Sequence, residues 1–252
     1  MENNDIEYKV VQPDASLGDF VESFWMLAVH ADTKRDIIVL PDGRIDLFFS
    51  QSATDAFHVA LLGLEINPSQ TVLAPKTIMF AVSFKLLAVE YLFKTSFSHL
   101  LNEGSILPND FWGITSDDLG DFDSFCTKVT GTLKTLITEN PDSRKQQLFE
   151  LIYSSRGSLP VKELSAKVFW SSRQINRYFN QQFGLSLKVY CNILRFRASL
   201  EHIKSGKLFP EENFTDQAHF IREVKKYAGV TPGELFKNKN DRFIQFSATS
   251  KE

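Results

Sequence analysis

The sequence predicts an α+β chain in which a small β-barrel or sandwich is followed by an all-α region. Short β-branched and aromatic runs separated by turn residues lie between residues 25 and 84, and helical texture follows from Ser96, with its long stripe at 121–137. The formal charge divides close to the same place. Residues 1–139 hold 9 Lys and Arg against 20 Asp and Glu, a net −11, while residues 140–252 hold 19 against 11, a net +8, leaving −3 for the whole. A basic half joined to an acidic half is the electrostatic footprint of a nucleic-acid module fused to something else.

Taken in order, residues 14–24 read as a short helix, with Asp14 as its cap and Leu17, Phe20, Val21 and Phe24 at helical spacing. Residues 25–29 continue as an apolar strand. Strands 37–40 and 45–49 flank Pro41-Asp42-Gly43, turn chemistry that points to a hairpin rather than to a binding site. Further strands are expected at 57–64, 70–74 and 77–84. From Ser96 the texture turns helical, first at 96–101 and then at 121–137. The second of these carries a stripe of Phe122, Phe125, Val129, Leu133 and Leu136 that suits a core or a dimer seam. Glu139-Asn140-Pro141-Asp142-Ser143 is a boundary signal. It divides the chain into a β-rich part, 1–95, a helical connector, 96–140, and a helical domain, 141–252.

A helix over 143–154 is closed by Gly157, and Pro160 suits the first turn of a short helix 160–168 with Val161, Leu164, Ala166 and Val168 as its apolar side. Phe169 and Trp170 interrupt the pattern, and Ser171 or Ser172 can cap a second helix running to residue 182. In it Ile175, Tyr178, Phe179 and Gln182 share one face, and Arg173, Asn176, Arg177 and Asn180 share the other. This is helix, tight turn, helix, with an outer face of side chains that read base edges. A helical bundle with a solvated polar face is the plain alternative. Solvated faces, however, mix signs, and no acidic residue falls between Ser171 and Glu201. Gly184 ends the second helix, and Ser186 can cap a third over 186–204, with Leu187, Tyr190, Leu194, Ala198 and Ile203 turned inward. At 1.5 Å per residue it spans roughly 28 Å, a length suited to joining two reading heads on successive major grooves.

The run Leu164-Ser165-Ala166, Ser171 through Phe179, Phe183-Gly184-Leu185-Ser186, Tyr190 and Leu194-Arg195-Phe196-Arg197-Ala198 resembles the first half of an AraC/XylS-type DNA-binding domain. Residues Phe214 through Lys226 and Gly229-Val230-Thr231-Pro232 resemble the second half, in the same order. The resemblance implies two helix-turn-helix units joined by a linker helix, and a sequence-specific transcription regulator. Phe20-Val21-Glu22-Ser23-Phe24-Trp25, Leu40-Pro41-Asp42-Gly43 with Asp46-Leu47, and the strand at Gly63 resemble the N-terminal domain of a subgroup of these regulators, which implies a sensor or dimerisation domain. One departure stands out. Between the linker and Phe214 about five residues of the family pattern are missing, Asn213 stands in place of the turn glycine, and Pro210 leaves no room for a full helix. The second recognition helix, 216–226, therefore has a curtailed brace, and Asp216 and Glu223 sit near the phosphates it would approach.

Arg pairs with guanine and Asn with adenine in the major groove, which makes Arg173, Asn176, Arg177 and Asn180 the candidate base readers. Gln217 and Arg222 are their counterparts in the second head. Ser171 and Ser172 at the helix start, Lys188, Arg195 and Lys226 are candidate backbone contacts, which position without specifying. Arg195 and Arg197 could equally lay their stems along the linker. The five histidines are scattered, and no phosphate loop, Gly-x-Ser-x-Gly elbow or Cys-x-x-Cys occurs. An enzyme is therefore not expected, save through a metal held by distant residues of a barrel, and no cofactor is expected. Cys126 and Cys191 read as buried thiols of a reducing compartment. With no spanning run and no secretory pattern, the expectation is a cytoplasmic protein that does not engage a membrane. The expected partners are double-stranded DNA and a second copy of the chain, with RNA polymerase and a small-molecule effector of the N-terminal domain beyond them. The alternative is a regulator acting mainly through protein contacts, its second DNA-reading head degenerate.

Overall fold

Alternating apolar residues build the first part of the chain into strands. The computed structural model describes residues 6–209, 214–238 and 242–243. Its strands are β1 (Ile6–Val11), β2 (Val21–Val29), β3 (Arg35–Val39), β4 (Ile45–Gln51), β5 (His58–Leu62), β6 (Ser69–Leu73), β7 (Ile78–Phe84) and β8 (Gly104–Leu107). Six of them form an antiparallel sheet in the order β1-β2-β7-β4-β5-β8, and β3 and β6 form a separate two-stranded ribbon. The helices are α1 (Leu87–Tyr91), α2 (Phe122–Leu136), α3 (Ser143–Ser154), α4 (Val161–Lys167), α5 (Ser172–Phe183), α6 (Leu187–Lys204), α7 (Gln217–Ala228) and α8 (Pro232–Lys237). The order is thus a β-rich N-terminal part followed by a helical part.

Register decides what each face of the sheet does. Leu47 pairs with Val82 and Phe49 with Phe80, so these side chains share a face, and α2 lies on it. The Phe80 ring stands 5.0 Å from Phe122 and 5.3 Å from Phe125, and Phe49 stands 5.5 Å from Phe125, all edge-on. The stripe on α2 is therefore core, covered by the chain's own sheet. On the other face the Ser83 hydroxyl donates to Asp46, the Trp25 indole N–H donates to Ser83 at 3.0 Å, and Tyr8 stacks on Trp25.

Three expected elements come out differently. Residues 14–24 are not a helix: Ala15–Leu17 is a single 3₁₀ turn capped by Asp14, and β2 begins at Val21. Leu17, Phe20, Val21 and Phe24 are buried, as the helical spacing required, but a turn followed by a strand buries the same set. Residues 96–101 hold only the 3₁₀ turn Ser98–Leu100, because Lys94 and Asn102 take positive φ on either side, and the segment 96–140 then adds β8 to the sheet. Pro41-Asp42-Gly43 is not a hairpin turn. β3 pairs with β6, β4 pairs with β5 and β7, and residues 41–43 carry the chain from ribbon to sheet.

The chain forms two compact units that do not follow a single cut. The first takes the chain to Arg35, then Arg44–Gly63 and Val72–Asp142. The second takes Asp36–Gly43, Leu64–Thr71 and the chain from Ser143. Most of the ribbon thus belongs with the helices. Leu40, 1% exposed, shares a buried cluster with Ile193, Phe196, Leu200 and Ile203 of α6, Phe220, Val224, Tyr227 and Ala228 of α7, Leu235 of α8 and Phe243, with Ile38 and Ile66 packed against it. Gly43 (φ +78°) accepts a hydrogen bond at its carbonyl from the Tyr190 hydroxyl at 3.0 Å, and a Cβ there would lie 3.0 Å from Leu194. Only glycine suits both the dihedral and the space.

Candidate nucleic-acid interface

The helix-turn-helix of α4 and α5 is built by a short list of anchors. Leu164 and Val168 of the first arm and Ile175, Tyr178, Phe179 and Phe183 of the second are buried, and Phe149 of α3 packs its ring against those of Tyr178, Phe179 and Phe183. Ala166, expected on the apolar side, is exposed because the arm is only two turns long and its third position faces water. α5 starts at a capping box: Ser171 Oγ accepts from the Gln174 amide, and the Gln174 side-chain carbonyl accepts from the Ser171 N–H at 3.0 Å and its hydroxyl at 2.7 Å. Gly184 ends it.

With the inner face so fixed, Arg173, Arg177 and Asn180 are exposed together and Asn176 is half-buried between them. The two arginines face outward. Each asparagine commits one amide hydrogen to the backbone: Asn176 Nδ2 donates to the Ser172 carbonyl at 3.0 Å, and Asn180 Nδ2 to the Asn176 carbonyl at 2.8 Å. Ser171 is committed to its cap and Ser172 is half-buried. Lys188 is exposed on the first turn of α6, whereas Arg195 lies along the linker, bonded to Asn192 one turn back.

In the second head Asp216 caps α7, accepting the His219 amide at 2.8 Å, so this acidic group serves the helix start. Gln217 Nε2 donates to the Leu208 carbonyl at 2.9 Å and holds the preceding segment against α7. Arg222, Lys225 and Lys226 are exposed, with Lys226 Nζ donating to the Tyr227 hydroxyl at 3.2 Å. Burial pushes the Tyr227 phenol up, and Glu223 is half-buried beside it. Among the described residues before α7, 205–209 and 214–216, no helix occurs. The expected departures at Pro210 and Asn213 lie outside the described residues.

Several residues of this surface went unread in the sequence. Phe169 sits in the turn between α4 and α5 at φ +53° and is 90% exposed, an apolar side chain in a costly backbone conformation. Next to it the Trp170 ring packs at a tilt against Tyr178, 5.4 Å between centroids, and carries Arg144 over its face at 5.6 Å, while Lys145 lies over Tyr178 at 5.1 Å. A basic pair just past the boundary signal and an aromatic pair at the turn were the available clues. Ile221 and Lys225 share the outer side of α7 with Arg222. Among the described residues no group of His, Cys, Asp and Glu is arranged to hold a metal ion, and no helix is long and apolar enough to cross a membrane. Both cysteines are free and buried, and burial pushes the Cys126 thiol up to about 11 and that of Cys191 up to about 12.

Residues 9–105 match the family model described as Domain of unknown function (DUF6597). The DUF6597 stretch takes in β3 and β6, so it supplies strands to both compact units. No curated protein matches the chain. Among solved structures it aligns with ToxT from Vibrio cholerae over 92% of this chain and 98% of that one, at 12% identity and a TM-score of 0.48. With ToxT from Vibrio cholerae O395 the figures are 94% and 100%, 13% and 0.49. With unsaturated fatty acid-bound wild-type ToxT from strain SCE256 they are 94% and 96%, 15% and 0.40.

Proposed function

We propose that the chain is an AraC/XylS-type, sequence-specific DNA-binding transcription regulator that reads the major groove through α5 and, more weakly, through α7. The observation that carries this is the division of α5. Four apolar side chains lock one side into a core, and the opposite side offers Arg173 and Arg177 with no acidic residue anywhere on the helix. Guanidinium groups held in register by a rigid inner face are what bidentate reading of guanine requires. The asparagine carbonyls serve as acceptors for exocyclic amines, and the second N–H of each amide is the donor offered to adenine N7. Lys188, Lys226, Arg144 and Lys145 supply phosphate contacts, and Arg195 stiffens the linker. In α7 Arg222 and Lys225 contact phosphates while Ile221 offers an apolar surface to a thymine methyl. The sheet unit serves as the platform for a second copy of the chain and for any small-molecule effector, with Trp25, Ser83 and Asp46 as the polar group such an effector would meet.

Exposed apolar side chains favour a second reading. Phe209, 72% exposed, with Phe236 and Ile221, gives the second head a surface suited to a protein partner such as RNA polymerase. Selecting duplex sites from random DNA with the full-length chain, then measuring affinity across salt, tests both. With about six phosphates neutralised, log affinity falls against log salt with a slope of about −5. A flat response with no selected sequence refutes DNA reading and leaves the protein-contact reading.

A further inference from the structure

The second head needs a wall that its own helices do not supply. α7 turns Phe220, Val224, Tyr227 and Ala228 inward, and α6 and α8 cover them on two sides. In a helix-turn-helix an earlier helix closes the remaining side, and no helix is present in the described residues between α6 and α7. The side is closed from far away in sequence. Leu40 enters the cluster fully buried, Ile38 and Ile66 flank it, and the Ile38 N–H donates to the Arg242 carbonyl at 2.6 Å in a parallel bridge to buried Phe243. Pro68 lies over the end of α7, 3.7 Å from where a Cβ on Gly229 would be. The Tyr190 hydroxyl ties the end of the same segment to α6 through Gly43.

We propose that the β3–β6 ribbon is a positioning element of the second reading head, closing the side of α7 that no helix of the described residues covers and holding α7 at the angle from which it meets DNA. Leu40 and its neighbours touch no DNA; they act through the buried cluster that holds Phe220 and Val224 of α7. Leu-Pro-Asp-Gly is accordingly a joint between ribbon and linker. β3 continues along the chain into β4 and β6 into β7, while α5 is anchored by Phe149 of α3, by α4 and by Tyr190 of α6.

The inference rests on α7 being a DNA-reading helix, and the experiment separates the two ideas. Full-length Leu40→Ala is compared with wild type and with Leu40→Met, which restores the volume. Backbone hydrogen exchange, measured without DNA, should quicken at least tenfold in α7 and α8 and stay unchanged in α5, β2 and β7. Leu40→Met should return it to the wild-type rate. On a duplex site selected with the wild-type chain, protection should be lost over the half read by α7 and kept over the half read by α5. Unchanged exchange in α7, or a uniform rise through the whole chain, overturns the positioning role. Faster α7 exchange with an unchanged footprint overturns DNA reading by α7, and this proposal with it. If Leu40→Ala does not fold, Leu40→Val, which removes one methylene, takes its place with the same readouts.

Discussion

Gly157 joins α3 to α4 and lies against α6, and replacing it with alanine should be among the most damaging small changes in the chain. Its φ is +73°, a region that costs an L-residue about 1–2 kcal/mol. The added Cβ would stand 2.9 Å from the Cα and 3.0 Å from the carbonyl carbon of Cys191, and closer still to its carbonyl oxygen. These are backbone atoms in the second turn of α6, which is buried on several sides and cannot yield, so overpacking adds roughly 1–3 kcal/mol. The expected loss is about 2–5 kcal/mol. Gly131→Ala is the control. That glycine lies within α2 with nothing inside 4 Å of a Cβ, and alanine there should gain up to about 1 kcal/mol through helix propensity. Differential scanning calorimetry of the full-length chain reads both. Gly157→Ala should lower the transition of the helical unit by roughly 4–20 °C, at about 2–4 °C per kcal/mol, and Gly131→Ala should leave that transition alone. A Gly157→Ala protein within about 0.5 kcal/mol of wild type, the range of neutral surface changes, would refute the reasoning. It would mean that the α3–α4 turn does not press on α6.

Arg173→Ala or Arg177→Ala should cost about 1–3 kcal/mol of DNA affinity and relax preference at one or two base positions, while Arg222→Ala should cost less and act nearly equally on all sequences. Titration of each mutant on single-base variants of a selected site checks this, and a larger, base-selective loss from Arg222→Ala would place the specificity in α7. Phe169→Gly should raise stability by roughly 1 kcal/mol, since it relieves a positive φ and exposes nothing new; if it also weakens DNA binding, the strained ring works at the interface, and full affinity would exclude it. Cys126 and Cys191, with thiols at about 11 and about 12, should resist iodoacetamide at pH 8 in the folded chain and react in denaturant. Hydrogen bonds from the Ser16 hydroxyl and amide hold the Asp14 carboxyl down at about 2. Its contribution is therefore complete above the ordinary carboxylate range and is lost as pH falls toward 2. Acid titration of Asp14→Asn should show a shallower loss of stability there than wild type.

Local physics made much of this molecule legible. Capping serines at 171 and 186 and the i, i+3, i+4 spacing of Ile175, Tyr178 and Phe179 place α5 and α6 within a residue or two, and with them the outward arginines, because a helix face follows from its period alone. β4, β5, β6 and β7 were equally readable from β-branched and aromatic runs. Pairing was not. Pro41-Asp42-Gly43 has the chemistry of a hairpin turn, yet β3 pairs with β6, since strand partners are set by which surfaces remain to be covered and not by the nearest neighbour in sequence. The same holds for the reach of side chains: periodicity sets Asn176, Asn180 and Gln217 outward, and only the folded backbone shows their amides engaged with carbonyls of Ser172, Asn176 and Leu208. The shortened segment before α7 reads in sequence as a head without a brace. Tertiary structure alone brings Leu40 into the cluster that buries Phe220 and Val224, because burying an apolar helix face requires a wall but does not require that the wall come from nearby in the chain.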